Sequence, residues 1–282
     1  FATRLKRRMK AVGWSVPIIH CVAPTVWAWG MWRAKKIATV MDGLFCLFPF
    51  EPDYFKPFGL DAHFIGHPEA FGNFLPAKPA GETIKEPRPK FNKIILLPGS
   101  RRSEISLILP EMLAATAIIK RHDPDINFVL PAVPHLLPLI ESLVEGSGVT
   151  ILYQSEDLIP ALQTSDAMIA TSGTITLQAA LCGTVGVTCY ITGAFNGFIG
   201  RRLVDLDKVI LPNAILGRQL YPFYFQEAAT GKALAAATLD CLYDANAKSS
   251  ARHAAIELKS LLTGGAQSFD ELVISALKNW LD

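Results

Sequence analysis

Between residues 94 and 190 the chain repeats one pattern, a short apolar run followed by a stretch that can form a helix. The runs are residues 94–97, 128–130, 150–153, 167–170 and 185–190. Strands buried on both faces read as unbroken apolar runs, and strands joined through helices run parallel because the crossover returns the chain to the same edge. The alternation therefore predicts an α/β, doubly wound parallel sheet, with any ligand at the carboxyl ends of its strands. Half of the 282 residues are apolar and 18% are charged, which supplies core for one large or two ordinary domains and excludes a disordered chain.

Shorter apolar runs at residues 17–23, 44–48 and 63–66, bounded by Pro or Gly, read as strands of a separate α/β layer. Pro76, Pro79, Pro87 and Pro89, with Gly72 and Gly81 among charged residues, make a linker. The expected organisation is a first α/β domain over 1–72, a linker over 73–92, a second α/β domain over 93–229 and a helical C-terminal tail over 230–282. In that tail, residues 232–243, 249–262 and 267–281 read as helices. Residues 103–120 carry an apolar stripe in which Pro110 must kink the helix or mark its true first turn.

A net charge of only +2 gives no protein-wide field for nucleic acid, although Arg4, Lys6, Arg7, Arg8 and Lys10 crowd the opening. Five scattered cysteines without a C-x-x-C pair, Cys21, Cys46, Cys182, Cys189 and Cys241, are expected as buried reduced thiols of a cytosolic protein. No apolar run approaches the ~20 residues of a spanning helix. The chain opens at Phe1 without an initiator methionine, on residues that look like the middle of a helix, and is expected to be a fragment.

Three stretches carry candidate chemistry. The run from Ile94 to Leu97 leads through Pro98 into Gly99, Ser100 and Arg101 just before a helix. Glycine lets backbone approach a ligand, a helix start offers free N–H groups, and arginine adds a positive fork for phosphate. Its own spacing leaves open an ordinary turn with a solvated arginine. The run ending at Ala170 enters Thr171, Ser172, Gly173 and Thr174 before another helix, where N-capping and anion binding would use the same N–H groups. Asn213, Arg218 and Gln226 form a third candidate, able to pair with a base or sugar and to neutralise phosphate, or simply to make turns and surface.

Pro24-Thr25-Val26-Trp27-Ala28-Trp29, Phe48-Pro49-Phe50-Glu51, Phe64-Ile65-Gly66-His67-Pro68, Leu97-Pro98-Gly99-Ser100-Arg101, Ser172-Gly173-Thr174 and Leu211-Pro212-Asn213 resemble, in order and spacing, the lipid-A-disaccharide synthase family of Gram-negative bacteria. The resemblance covers essentially the whole chain. It implies a GT-B fold, two Rossmann-like domains with parallel sheets, here with the first one incomplete. It also implies an inverting transferase that needs no metal or other cofactor and joins UDP-2,3-diacylglucosamine to 2,3-diacylglucosamine 1-phosphate, releasing UDP. Arg101 would stabilise the departing diphosphate, with Gly99, Ser100, Ser172, Gly173, Thr174, Gln178, Asn213, Arg218 and Gln226 lining the UDP end of the cleft. The resemblance further implies a cytoplasmic enzyme peripheral to the inner membrane, and a homodimer formed by exchanged C-terminal segments.

Two departures qualify the match. Gln178 stands where such transferases usually carry a glutamate for the ribose hydroxyls, and an amide accepts without charge assistance. The family's glycine-rich opening and acidic motif have no counterpart here, which puts roughly 100 residues of a half-domain and the general base outside the chain and predicts poor stability in isolation. His63 and His67 have i, i+4 spacing, but Gly66 and Pro68 argue against a helical zinc pair, so a structural or acceptor-side role is expected. Asp123-Pro124-Asp125 is expected to be a turn. Trp27, Trp29 and Trp32 beside Arg33, Lys35 and Lys36 suit either a core edge or an anionic membrane surface. The alternatives in function are a UDP-sugar 2-epimerase, another GT-B transferase, or a remnant that binds UDP without acting on it.

Overall fold

The computed structural model describes residues 2–28, 30–74, 93–153, 158–193, 208–278, 280 and 281. Residues 75–92, nearly all of the expected linker, lie outside the described residues, as does Trp29. The described chain divides into two compact units. The smaller is drawn from Phe1–Gly72 and Leu258–Asp282 with Lys208, and the larger from Asn73–Arg202 and Val209–Glu257.

In the smaller unit, helix α1 (Ala2–Ala11) precedes strand β1 (Ile19–Cys21), helix α2 (Trp32–Ala38) and strands β2 (Gly43–Cys46) and β3 (Asp61–Phe64). The three strands form a parallel sheet in the order β1-β2-β3. All four residues of β2 are buried, as a central strand covered on both faces requires. One face packs Leu44, Cys46 and Ala62 against Val26, Ala34, Phe55 and Leu60. The other face sets Phe45 and Ile65 against Ala276, Phe269, Val273 and Leu277 near the C-terminus.

The larger unit contains strand β4 (Lys93–Leu97), helix α3 (Arg102–His122), strand β5 (Asn127–Pro131), helix α4 (Leu137–Val144), strand β6 (Val149–Leu152), helix α5 (Leu158–Thr164) and strand β7 (Ala167–Thr171). Helix α6 (Thr174–Leu181), strand β8 (Gly186–Tyr190), helix α7 (Leu211–Leu216), strand β9 (Phe223–Phe225) and helix α8 (Gly231–Tyr243) follow. All six strands are parallel, in the order β6-β5-β4-β7-β8-β9. The chain grows outward from β4 in one direction and then, from β7, in the other. Between those two strands lies the topological switch point, where loops diverge and leave a crevice at the carboxyl edge.

Helix α3 presents Ile105, Ile108, Leu109, Met112, Ala115 and Ile119 to the sheet and to Leu234 of α8, all fully buried. At about 1.5–3 kcal/mol for each large aliphatic side chain, this stripe anchors the helix that follows the first candidate loop. Pro110 sits inside α3, so it does not mark the first turn. Strand β9 has no counterpart among the runs read from the sequence. Beyond α8, helices α9 (Ala247–Thr263) and α10 (Phe269–Lys278) complete the chain, and Leu258 is the point from which residues join the smaller unit. No described helix is long and apolar enough to cross a membrane. All five cysteines are free, and Cys46, Cys182 and Cys189 are buried as expected, but Cys241 is half-buried and Cys21 is exposed, because it ends the outer strand β1.

Candidate functional site

A cavity of about 560 Å³ opens at the carboxyl ends of β4, β5 and β7 in the larger unit. Gly99, Ser100 and Arg101 form one wall, Thr171 to Ile175 with Gln178 the wall across the switch point, and Pro131 to Pro134 with Leu158 an apolar side. The structure thus brings seven of the sequence-derived candidates together: Gly99, Ser100, Arg101, Ser172, Gly173, Thr174 and Gln178.

The first wall is built differently from the expectation. Gly99 has φ +106°, and a Cβ there would lie 2.5 Å from Glu104 Oε2, so both the backbone and the close approach require glycine. Glu104, in the first turn of α3, is buried. Its Oε2 accepts the N–H groups of Ser100 and Arg101, each at 3.2 Å, and its Oε1 accepts Arg101 Nη1 at 2.6 Å. Burial and then the nearby Glu104 carboxylate raise the pKa of the Tyr190 hydroxyl. The N–H groups before α3, expected to be free for phosphate, are therefore occupied by a glutamate at the third helical position, as in a capping box. The Arg101 side chain is 74% exposed, and its bond to Glu104 holds the guanidinium charged.

Across the switch point, α6 starts at Gly173 with no side-chain cap. Gly173 has φ +148° and open space where a Cβ would stand. The first turn of α6 thus offers backbone donors and the positive end of its dipole to the cavity. The Thr176 hydroxyl donates to Gly173 O at 2.7 Å and fixes the turn, while Ser172 N–H donates to Cys189 O at 3.1 Å and ties the loop to β8. Thr171, named in the second candidate loop but not among the expected site residues, is buried and its hydroxyl has no partner.

Three expected site residues are placed elsewhere. Asn213 accepts from Leu220 and Tyr221 N–H at 2.9 and 3.0 Å and donates to Tyr221 O at 2.8 Å, so its amide closes the turn between α7 and β9. Arg218 pairs with Glu257 through both terminal nitrogens, at 3.0 and 2.5 Å, beside Val185 and Gly186 at the amino end of β8. That is the opposite edge of the sheet, because left-handed Gly217 ends α7 and turns the chain away. Gln226 lies at the carboxyl edge with φ +55°, yet its amide accepts from Thr192 N–H at 2.8 Å and donates to Thr192 O at 3.1 Å, extending the pairing of β8 with β9.

In the smaller unit, Glu51 is buried and accepts from Trp27 Nε1 at 3.2 Å and from the N–H groups of Leu47 and Phe48 at 3.0 and 3.1 Å. Burial lifts its carboxyl to about 7 despite these three donors. Trp27 is therefore core and drops out of the expected membrane patch, whereas Trp32 is 72% exposed. His67 lies before a short 3₁₀ turn, not on an α-helix, and stacks on Phe48 at 5.6 Å; burial holds its pKa down. Asp123 Oδ1 accepts from Asp125 N–H in the turn after α3.

The family described as lipid-A-disaccharide synthetase (LpxB) matches residues 1–275. The lipid-A-disaccharide synthase of Burkholderia thailandensis is 40% identical over 245 residues, which cover 85% of this chain and 62% of that protein. The enzyme of the same description from Burkholderia lata is 40% identical over 234 residues, covering 81% and 60%. The chain thus spans 60–62% of the length of these curated relatives. Among solved structures, a protein described as a UDP-N-acetylglucosamine 2-epimerase from Listeria monocytogenes aligns with TM-score 0.51 and 11% identity, over 99% of this chain and 77% of its own. The kitacinnamycin glycotransferase aligns with TM-score 0.52 and 15% identity, over 89% and 62%. Likeness at such identity bears on the fold alone, and agrees with an α/β fold of the GT-B kind.

Proposed function

Because the chain belongs to the lipid-A-disaccharide synthetase family, we propose that it carries the UDP-sugar half of an inverting glycosyltransferase. In this reading the protein joins UDP-2,3-diacylglucosamine to 2,3-diacylglucosamine 1-phosphate, giving the disaccharide 1-phosphate and UDP. The family match through almost the whole chain carries the reading. The cavity at the switch point supports its nucleotide part, because an arginine and an uncapped helix start face one space.

As the anomeric bond breaks, negative charge grows on the diphosphate. Arg101 and the first turn of α6 are the groups placed to stabilise it, and donors fixed before the reaction spend no reorganisation during it. Gly173 lets the ligand approach the backbone, while the Ser100, Ser172 and Thr174 hydroxyls supply further donors and Gln178 an amide for the ribose side. Asn213, Arg218 and Gln226 are reassigned from ligand binding to holding the fold.

Two further parts of the reading concern partners. Exposed Trp14, Met31 and Trp32 in the smaller unit, on a chain segment rich in Arg and Lys, suit a cytoplasmic enzyme peripheral to an anionic membrane that holds its acylated substrates. An exchanged homodimer would make the α10 contact with Phe45 and Ile65 between two chains instead of within one.

The test combines calorimetric titration with UDP and a product assay with the two acylated monosaccharides. Disaccharide with released UDP is expected from the protein carrying this chain. UDP binding without product would leave only the nucleotide-binding part, and no UDP binding would defeat the whole reading. Conversion of UDP-N-acetylglucosamine to its 2-epimer would replace the transferase by an epimerase.

A further inference from the structure

A glutamate that only caps a helix needs one oxygen on one N–H, whereas Glu104 uses both. Ser100 N–H and Arg101 N–H share Oε2, and Arg101 Nη1 holds Oε1. The carboxylate is buried and forms part of the cavity wall. A fixed anion therefore stands among the donors of the first loop, in the place where a phosphate would be looked for.

The two ends of the Arg101–Glu104 pair are unequal. Glu104 is closed in, while the Arg101 side chain is 74% exposed and free to turn. If the guanidinium left, the carboxylate would keep the two backbone N–H groups. The departure would take the cation from a buried carboxylate, a cost that the two backbone donors offset in part, because hydrogen bonds to a charged group are stronger than those between neutral groups. The bond given up joins an exposed guanidinium to a buried carboxylate, so its loss has to be offset by the contact of Arg101 with the diphosphate.

We infer that Glu104 is a positioning residue: an internal anion that holds the first loop in shape, parks Arg101 at the cavity wall, and yields that arginine to the ligand's diphosphate on binding. The inference rests on the cavity being the UDP site. Glu104 and the diphosphate then compete for one guanidinium, and the competition weakens UDP binding relative to a site with a neutral residue at position 104.

Glu104→Gln tests this, because glutamine also caps at the third helical position and should preserve the loop. Calorimetry with UDP and with uridine is run on the wild-type protein, on Glu104→Gln, on Arg101→Ala and on the double variant. The expected result is UDP binding tightened by about 2- to 5-fold in Glu104→Gln, uridine binding unchanged, and no gain when Arg101 is already alanine. Unchanged or weaker UDP binding by folded Glu104→Gln overturns the inference and leaves the UDP reading intact. Failure of the wild-type protein to bind UDP overturns both. A second measurement needs no change at position 104: the guanidinium signal of Arg101 in an NMR spectrum, identified by its loss in Arg101→Lys, should shift with UDP and not with uridine. A signal that UDP leaves in place would also overturn it.

Discussion

Replacing Gly99 by alanine tests whether the Glu104 carboxylate is anchored as described. The new Cβ would sit 2.5 Å from Glu104 Oε2 and 3.0 Å from Glu104 Cβ, on a backbone with φ +106°. Holding a non-glycine residue at such a φ costs about 1–3 kcal/mol. Pushing Glu104 aside forfeits its capping bonds, about 1 kcal/mol more. The larger unit should therefore lose about 2–4 kcal/mol, measured by urea unfolding followed by far-UV circular dichroism. The described tryptophans (14, 27, 32 and 280) belong to the smaller unit, so tryptophan fluorescence tracks the other body separately. Gly173→Ala is the comparison, since open space surrounds its Cβ and only backbone strain remains. It should cost less stability but weaken UDP binding by filling the approach to α6. A Gly99→Ala protein within about 0.5 kcal/mol of wild type would refute the packing of Glu104 against the loop, and with it the account of why glycine is needed there.

Other consequences can be measured independently. Burial raises the Glu51 carboxyl from 4.5 to about 7, so the folded smaller unit binds a proton more readily than the unfolded chain. Its contribution to stability is full below about pH 4.5 and is lost as pH rises through 7, on the order of 3 kcal/mol in all. Tryptophan-monitored melts should fall in midpoint between pH 5 and pH 7, and a profile as flat as that of Glu51→Gln would contradict the assignment. The buried Tyr221 hydroxyl donates to Thr184 O at 2.7 Å. Tyr221→Phe strands that carbonyl and should cost about 1–3 kcal/mol in urea unfolding, whereas an unchanged midpoint would mean the carbonyl has another donor. Replacing Trp32 and Lys35 together with alanine should reduce sedimentation with anionic liposomes while leaving the melt unaltered, since Trp32 is exposed; equal sedimentation would remove the membrane face from the proposal.

Elements whose evidence is local were legible in the sequence. Unbroken apolar runs marked all the strands of the larger sheet except β9, whose three aromatic residues lack the length of a recognisable run. The two loops at the switch point were found because strand, glycine and helix follow one another directly. What the glutamate three residues after Arg101 would do was not seen, although a Glu at that spacing ahead of an apolar stripe is a capping signal. Asn213, Arg218 and Gln226 were assigned to the ligand because amides and guanidiniums can bind one. Their partners, Tyr221, Glu257 and Thr192, lie 8, 39 and 34 residues away, and only the folded chain shows that those groups are already committed. The same holds for Trp27, whose partner Glu51 is brought to it by the turn after β2.

The two loops at the switch point do different work, and the difference follows from where charge is already spent. Helix α3 is long, but the positive end of its dipole meets Glu104, so on the proposed reading the first loop would contribute shape and a single displaceable arginine. Helix α6 is short and uncapped, with Ser172, Gly173 and Thr174 at its start and no charged residue in its first turn. On the proposed reading, attraction for an anion comes mainly from α6 and Arg101, on opposite walls of one cavity. A diphosphate spanning those walls would draw Arg101 across the gap, while Glu104, still held by the backbone N–H groups of Ser100 and Arg101, would keep the first loop from following.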